Sequence, residues 1–206
     1  MLARMARQGV VGVVLGLASL LLGSASPAVG QGKDKKETFP RQILIIRHAE
    51  KPPADAMSTD LNAEGKERAE ALHKLFEKSD KRPMPFDTPD FIFATRNSKK
   101  SHRPVETVTP LAKKLKLTIN SEFTNADEEK LAEELFGNPK YAGKTILIAW
   151  HHGTTPALAG KLKATGYPES WKDEVFDRVW QITYDEKGKA TYADRPQHLM
   201  PKDSEK

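Results

Sequence analysis

Ile43-Leu44-Ile45-Ile46-Arg47-His48-Ala49-Glu50 joins four large apolar residues to a compact polar group, and its reading decides the fold. A continuous apolar run of this kind reads as a strand buried on both faces. The polar residues then stand at its C-terminal end. Ligands bind there in α/β proteins, because the loops are free to carry polar side chains. Arg beside His at such a point suggests an anion site with a titratable nucleophile or base inside it.

Two further apolar runs end in the same manner. Residues 90–94 (DFIFA) lead into Thr95-Arg96, and residues 144–150 (KTILIAW) lead into His151-His152-Gly153. Asn62 caps an expected helix running to about Lys78, with Ala69, Leu72, Leu75 and Phe76 on one face. A second helix, from about Arg103 to Lys116, turns Val105, Val108, Leu111, Ala112 and Leu115 inward. Residues 117–119 read as a short strand, 126–136 as an amphipathic helix and 156–164 as a helix after the third strand. Residues 177–184 and 188–192, turning at Glu186-Lys187-Gly188, read as a terminal hairpin. Strands separated by helices place the chain in the α/β class. The expected architecture is a three-layer α/β/α sandwich with a mostly parallel sheet and an antiparallel edge hairpin. Residues 195–206 read as a frayed polar tail.

The length of 206 residues suits one domain with a sizeable core. Arg4 and Arg7 precede an apolar stretch from Gly9 to Leu22, small residues and Pro27, the layout of a secretory signal. Ala28-Val29-Gly30 before Gln31 marks a cleavage site. The expected organisation is a signal peptide over 1–30, a linker over 31–40 (QGKDKKETFP), a domain over 41–194 and the polar tail. A retained membrane anchor is the competing reading, but the apolar run is short for a span. There is no Cys, so disulfides, thiolate chemistry and a lipoprotein anchor are excluded. Export without disulfides fits a bacterial periplasm or exterior, with no stable membrane insertion after cleavage. Loss of Arg4 and Arg7 with the signal lowers the net charge from +5 to +3. That is too mild for nucleic acid and supports only weak attraction of anionic substrates.

In a parallel sheet the strand C-termini share one edge. Two or three of Arg47, Arg96 and Arg103 can therefore converge with His48 and one of His151 and His152. Arg offers a permanently charged planar fork suited to phosphate oxygens, and His can serve as nucleophile or donor. Here the chain resembles the histidine phosphatase superfamily, the phosphoglycerate mutase-like or histidine acid phosphatase-like enzymes. Arg47-His48 matches the opening motif of that family. Leu61-Asn62-Ala63-Glu64-Gly65-Lys66-Glu67-Arg68-Ala69 matches its L-T/N-x-x-G-x-x-x-A stretch. Ser101 and Arg103, with Thr107 four positions after the Arg, match the next motif, and His152-Gly153 matches the closing His-Gly. The four occur in order across residues 42 to about 184.

The resemblance implies that His48 attacks phosphorus and becomes a transient phosphohistidine that water hydrolyses. Arg47, Arg103 and His152 would hold the equatorial oxygens. Neither cofactor nor metal is implied, and the partner is a small phosphorylated substrate. Arg96 is read as a substrate-side contact or a surface ion-pair partner. His151, next to His152 on a strand whose neighbours face opposite ways, is read as a wall or rim residue. His73 and His102 read as surface histidines. Glu122 and Asp127 are the candidates for the general acid, with Glu50 and Glu106 as alternatives that read more simply as solvated surface; Glu50 is also a candidate substrate contact. Without an acid the enzyme should prefer good leaving groups. Trp150, Trp171, Trp180 and Phe176 read as core packing before substrate wall. The expected activity is that of an exported, metal-independent phosphomonoesterase. The rivals are a phosphomutase and a non-catalytic phospho-ligand binder of the same fold.

Overall fold

Strand β1 (Gln42–Arg47) is buried along its whole length. It lies between β4 (Thr145–Trp150), to which it is parallel, and β5 (Arg178–Tyr184), to which it is antiparallel. With β2 (Phe91–Ala94), β3 (Ile119–Asn120) and β6 (Ala190–Pro196) these form a six-stranded sheet in the order β3-β2-β4-β1-β5-β6. β1 to β4 are mutually parallel, and the β5–β6 hairpin supplies the antiparallel edge. The computed structural model describes residues 37–204, so the expected signal over 1–30 and residues 31–36 of the linker lie outside the described residues.

Alternation along the central strands sends side chains to two separate cores. Ile43, Ile45, Ile146, Ile148 and Trp150 pack with Leu131 and Leu135 of α3 (Glu128–Gly137) and Leu158 of α4 (Thr155–Lys161). Leu44, Ile46, Leu147 and Ala149 pack on the other face with Val108 and Leu111 of α2 (Arg103–Leu115). Both faces of the parallel strands are therefore covered, which makes the three layers. The first expected helix is shorter than its periodicity suggested. It is helical over α1 (Ala63–Ala71) and then tightens into a 3₁₀ turn over Leu72–Phe76. The three-residue repeat of that turn stacks Leu72 and Leu75, and both are buried in the second core.

The ends of the domain differ from expectation. Phe39, assigned to the linker, packs on Phe136 and Tyr184 with ring centroids 5.2 and 5.7 Å away, and the Thr38 amide donates to the Phe136 carbonyl at 2.8 Å. The tail does not fray up to Ser204. β6 continues to Pro196, Gln197 is 1% exposed and the Asp203 carboxylate binds Arg68 at 2.8 Å. A buried guanidinium needs anionic partners, and this one draws the tail inward.

The N-terminus of α1 is seated on the loop that follows β1. Asn62 caps the helix by accepting from the Gly65 amide at 2.7 Å, while its own amide donates to the Glu50 carbonyl at 3.1 Å. A Cβ on Gly65 would meet the Glu50 carbonyl oxygen and lie 2.9 Å from the Glu50 amide nitrogen. Gly65→Ala is therefore expected to lower stability by roughly 1–3 kcal/mol through overpacking, only partly offset by about 1 kcal/mol of better helix propensity. A urea midpoint unchanged or raised relative to wild type would count against this contact.

Candidate active site

The site begins with register. Arg47 stands opposite Trp150 in the parallel pair, so the next residues, His48 and His151, leave the sheet side by side. Their rings meet edge-on with centroids 5.3 Å apart, and the His48 amide donates to the Trp150 carbonyl at 3.0 Å. The sheet thus brings His151 to His48. His152, expected in that place, directs Nε2 to the Asp173 carboxylate at 3.0 Å. A sequence signal for this existed. Aligning Ile43–His48 with Ile146–His151 as two strands of equal length puts His151, not His152, beside His48.

His48 is 2% exposed, and its Nδ1 lies 2.7 Å from the Ala49 carbonyl oxygen. A carbonyl only accepts, so Nδ1 carries the proton and Nε2 keeps its lone pair. Burial pushes the imidazole pKa down to about 3, and the charges of Arg47 and Arg103 act in the same direction. Burial likewise pushes His151 down to about 4. Both rings are neutral at neutral pH.

The Arg47 side chain is fully buried, with its guanidinium carbon 3.8 Å from the centre of the Phe176 ring. Nη1 donates to the carbonyls of Lys172, Asp173 and Val175, and Nη2 meets Asp173 Oδ1 at 3.2 Å. Burial lowers its pKa to about 10, which leaves it cationic. Arg103 opens α2, where its Nη1 donates to the Ser58 carbonyl at 3.0 Å. Thr107, one helical turn on, accepts from the Ala49 amide at 2.8 Å and donates to the Arg103 carbonyl at 2.7 Å. One hydroxyl therefore clamps the His48 loop to the helix that carries Arg103. The Nε–H groups of both Arg47 and Arg103 are buried without a partner.

This arrangement sits on a scaffold with solved counterparts. A mutant phosphoserine phosphatase from Entamoeba histolytica, solved with phosphoserine, is similar at a TM-score of 0.53 and 10% identity, over 77% of this chain and 98% of that one. A phosphoglycerate mutase from Bacillus anthracis is similar at 0.51 and 14%, over 78% and 94%. A mycobacterial glucosyl-3-phosphoglycerate phosphatase is similar at 0.50 and 11%, over 76% and 97%. The chain has the histidine phosphatase fold. No protein-family model matches its sequence, and no curated protein matches it.

Within the histidine phosphatase fold the other expected residues take unequal positions. Glu50 is 7% exposed and pairs with Arg68 at 2.7 Å. That pairing buries it against Arg68, so it is not the solvated surface group expected. Arg96 is exposed, and its Nη2 donates to the Glu122 carbonyl. The Glu122 side chain is exposed on the loop that follows β3. Asp127 accepts from the Thr124 amide at 2.8 Å and from Lys130 at 2.7 Å, and these contacts hold it well below the usual carboxylate range. An acid so held is ionised and delivers no proton. Glu106 accepts from the Leu61 amide at 2.8 Å. Trp150, Trp171 and Trp180 belong to the core, while Phe176 lies under Arg47 with its ring centre 6.2 Å from that of His48.

Asp60, His102 and Glu106 bring one potential ligand atom each within 4.8 Å of one another, the single such group among the described residues. Their polar atoms already serve one another or the backbone: Asp60 Oδ1 lies 3.0 Å from His102 Nδ1. A cavity of about 720 Å³ is lined by Glu50, Arg68, Trp171 and Phe176 among others, and by none of His48, His151 and Arg103. It shares the 170–178 loop with the site without containing the chemistry.

The buried histidines predict how stability depends on pH. Their pKa values fall from about 6.5 when unfolded to about 3 for His48 and about 4 for His151 in the fold. Below pH 6.5 the unfolded chain binds protons that the folded chain does not, so stability falls as pH falls. The slope is up to about 1.4 kcal/mol per pH unit for each histidine. Urea midpoints measured between pH 7 and 4.5 should fall less steeply for His48→Asn than for wild type. Equal slopes would show that His48 titrates normally in the fold.

Proposed function

We propose that the chain is a phosphoric monoester hydrolase working through a phosphohistidine on His48. One observation carries this reading: a buried, neutral His48, fixed through Nδ1, beside two arginines whose buried Nε–H groups have no partner. Each such orphaned donor costs roughly 1–3 kcal/mol, a cost that an anion accepting from it would offset. The Nε2 lone pair attacks phosphorus in line, and the bond to the leaving oxygen breaks. Water then attacks the phosphohistidine, releasing inorganic phosphate and restoring His48. Arg47, Arg103 and His151 stabilise the charge on the equatorial oxygens; His151 takes the role first given to His152 because its ring is the one against His48.

With Asp127 held ionised and Glu50 paired to Arg68, Glu122 and Glu106 remain as candidate acids. Without an acid, substrates with good leaving groups, such as aryl or acyl phosphates and phosphoramidates, should be favoured. The reaction is read as independent of metal, and the substrate as a small phosphorylated molecule met in the periplasm or outside the cell. Among the described residues no helix is long and apolar enough to cross a membrane. The test is hydrolysis of p-nitrophenyl phosphate in EDTA, with rapid quenching to trap an acid-labile, base-stable label on His48. Release of inorganic phosphate together with that label is expected. Turnover that requires added metal, or binding with no phosphate release, would overturn the reading; migration of the phosphoryl group to a neighbouring hydroxyl when glycerol 2-phosphate replaces the aryl ester would make it a mutase.

A further inference from the structure

One carboxylate oxygen at the mouth of the site has three donor neighbours, two of them cationic. Asp173 Oδ1 lies 3.2 Å from Arg47 Nη2, 3.3 Å from Lys51 Nζ and 3.0 Å from His152 Nε2. These contacts, Lys51 first, hold the Asp173 carboxyl below its ordinary range. Three donors from two strand-end loops converging on a single oxygen form an anion subsite, and the chain fills it with its own side chain.

The backbone around Asp173 is pinned. Arg47 Nη1 takes the carbonyls of Lys172, Asp173 and Val175, and Trp171 Nε1 donates to the Val175 carbonyl at 2.8 Å. The Asp173 side chain is different, with 66% of it exposed. Its pair with the partly exposed Lys51 is individually weak, and the carboxylate can rotate into solvent while the Arg47 Nη1 bonds to the backbone hold the loop. Lys51 Nζ, Arg47 Nη2 and His152 Nε2 would then face an incoming ligand. Because the fully buried Arg47 belongs both to this subsite and to the phosphate site, the two are adjacent.

We infer that Lys51, His152 and Arg47 form a second anion subsite beside the phosphate pocket, and that Asp173 occupies it and thereby sets specificity. The inference rests on the phosphatase reading above. With Asp173 in place, the site takes phosphate esters that carry no other anionic group near the phosphorus. With Asp173 neutralised, it takes esters bearing a carboxylate a few atoms from the phosphate. Asp173 touches no reacting atom; it acts by competing for donors that a substrate would use.

Two non-hydrolysable probes that differ by one carboxylate test this: propylphosphonate and 3-phosphonopropionate, titrated calorimetrically at neutral pH. Wild type should bind the two with similar Kd or prefer propylphosphonate. Asp173→Asn, which keeps the side-chain shape, should prefer 3-phosphonopropionate by at least about tenfold, the worth of one charge-assisted hydrogen bond regained. Adding Lys51→Met to Asp173→Asn should abolish that preference, and Asp173→Ser repeats the test should the first variant be poorly folded. If propylphosphonate binds wild type but neither Asp173 variant gains a preference for the carboxylated probe, the subsite inference is overturned alone. If neither propylphosphonate nor inorganic phosphate binds wild type, the phosphatase reading fails and the subsite falls with it.

Discussion

His48→Ala is expected to lower kcat/KM for p-nitrophenyl phosphate by at least about 10⁴-fold, since removing a covalent nucleophile leaves only binding and electrostatic terms. The neighbouring histidines should respond unequally. His151→Ala should cost about 10²–10³-fold, the usual loss for one donor aimed at developing negative charge. His152→Ala should cost less than about tenfold, because its Nε2 is turned to Asp173 and not to the His48 ring. The three variants can be compared by initial rates after circular dichroism has confirmed that each is folded. A larger loss for His152→Ala than for His151→Ala would reverse the assignment drawn from strand register. Full activity in His48→Ala would end the covalent mechanism.

The second large effect concerns stability. Arg68 is 5% exposed and holds Glu50 through Nε at 2.8 Å and Asp203 through Nη2 at 2.8 Å, with Gln197 Oε1 at 3.2 Å from Nη1. The Asp203 carboxyl is held below its ordinary range against the opposing effect of burial, with Arg68 as the first of the groups lowering it. Arg68→Ala leaves two carboxylates buried without a counterion, a change that costs about 3–5 kcal/mol. Out of a typical total of roughly 5–15 kcal/mol, that brings the fold close to unfolding. Combining Arg68→Met with Glu50→Gln removes one stranded charge and should recover part of the loss. Urea denaturation at pH 7 measures both. A cost below about 1 kcal/mol for Arg68→Ala would mean that the tail is anchored elsewhere.

What could be read from the residues was what local pattern determines. β1 and β4 are continuous apolar runs because both faces of a parallel strand are covered, and the inward face of α2 has the spacing of an amphipathic helix. The stretch from Leu61 to Ala69 was legible for a similar reason: Asn62 caps its helix, and Gly65 allows backbone to approach backbone. What escaped depends on pairing between distant segments. The choice between His151 and His152 follows from strand register, which the His-Gly dipeptide does not encode. Glu50 looked solvated because its partner Arg68 sits on another element, and residues 197–204 looked frayed because Asp203 finds that same arginine only after folding. Lys51 and Asp173 belong to no motif and meet only in three dimensions.

The parallel pairing of β1 with β4 also bears on how the molecule reaches its active form. Each paired residue is separated from its partner by about 103 positions of chain, as with Gln42 and Thr145. Closing a loop of that size is entropically costly, and contacts of such long range slow folding. No local intermediate can place His48 beside His151. Recovery of catalysis after dilution from denaturant should therefore lag behind recovery of helical signal, and would serve as a clock for the moment at which the sheet centre zips together.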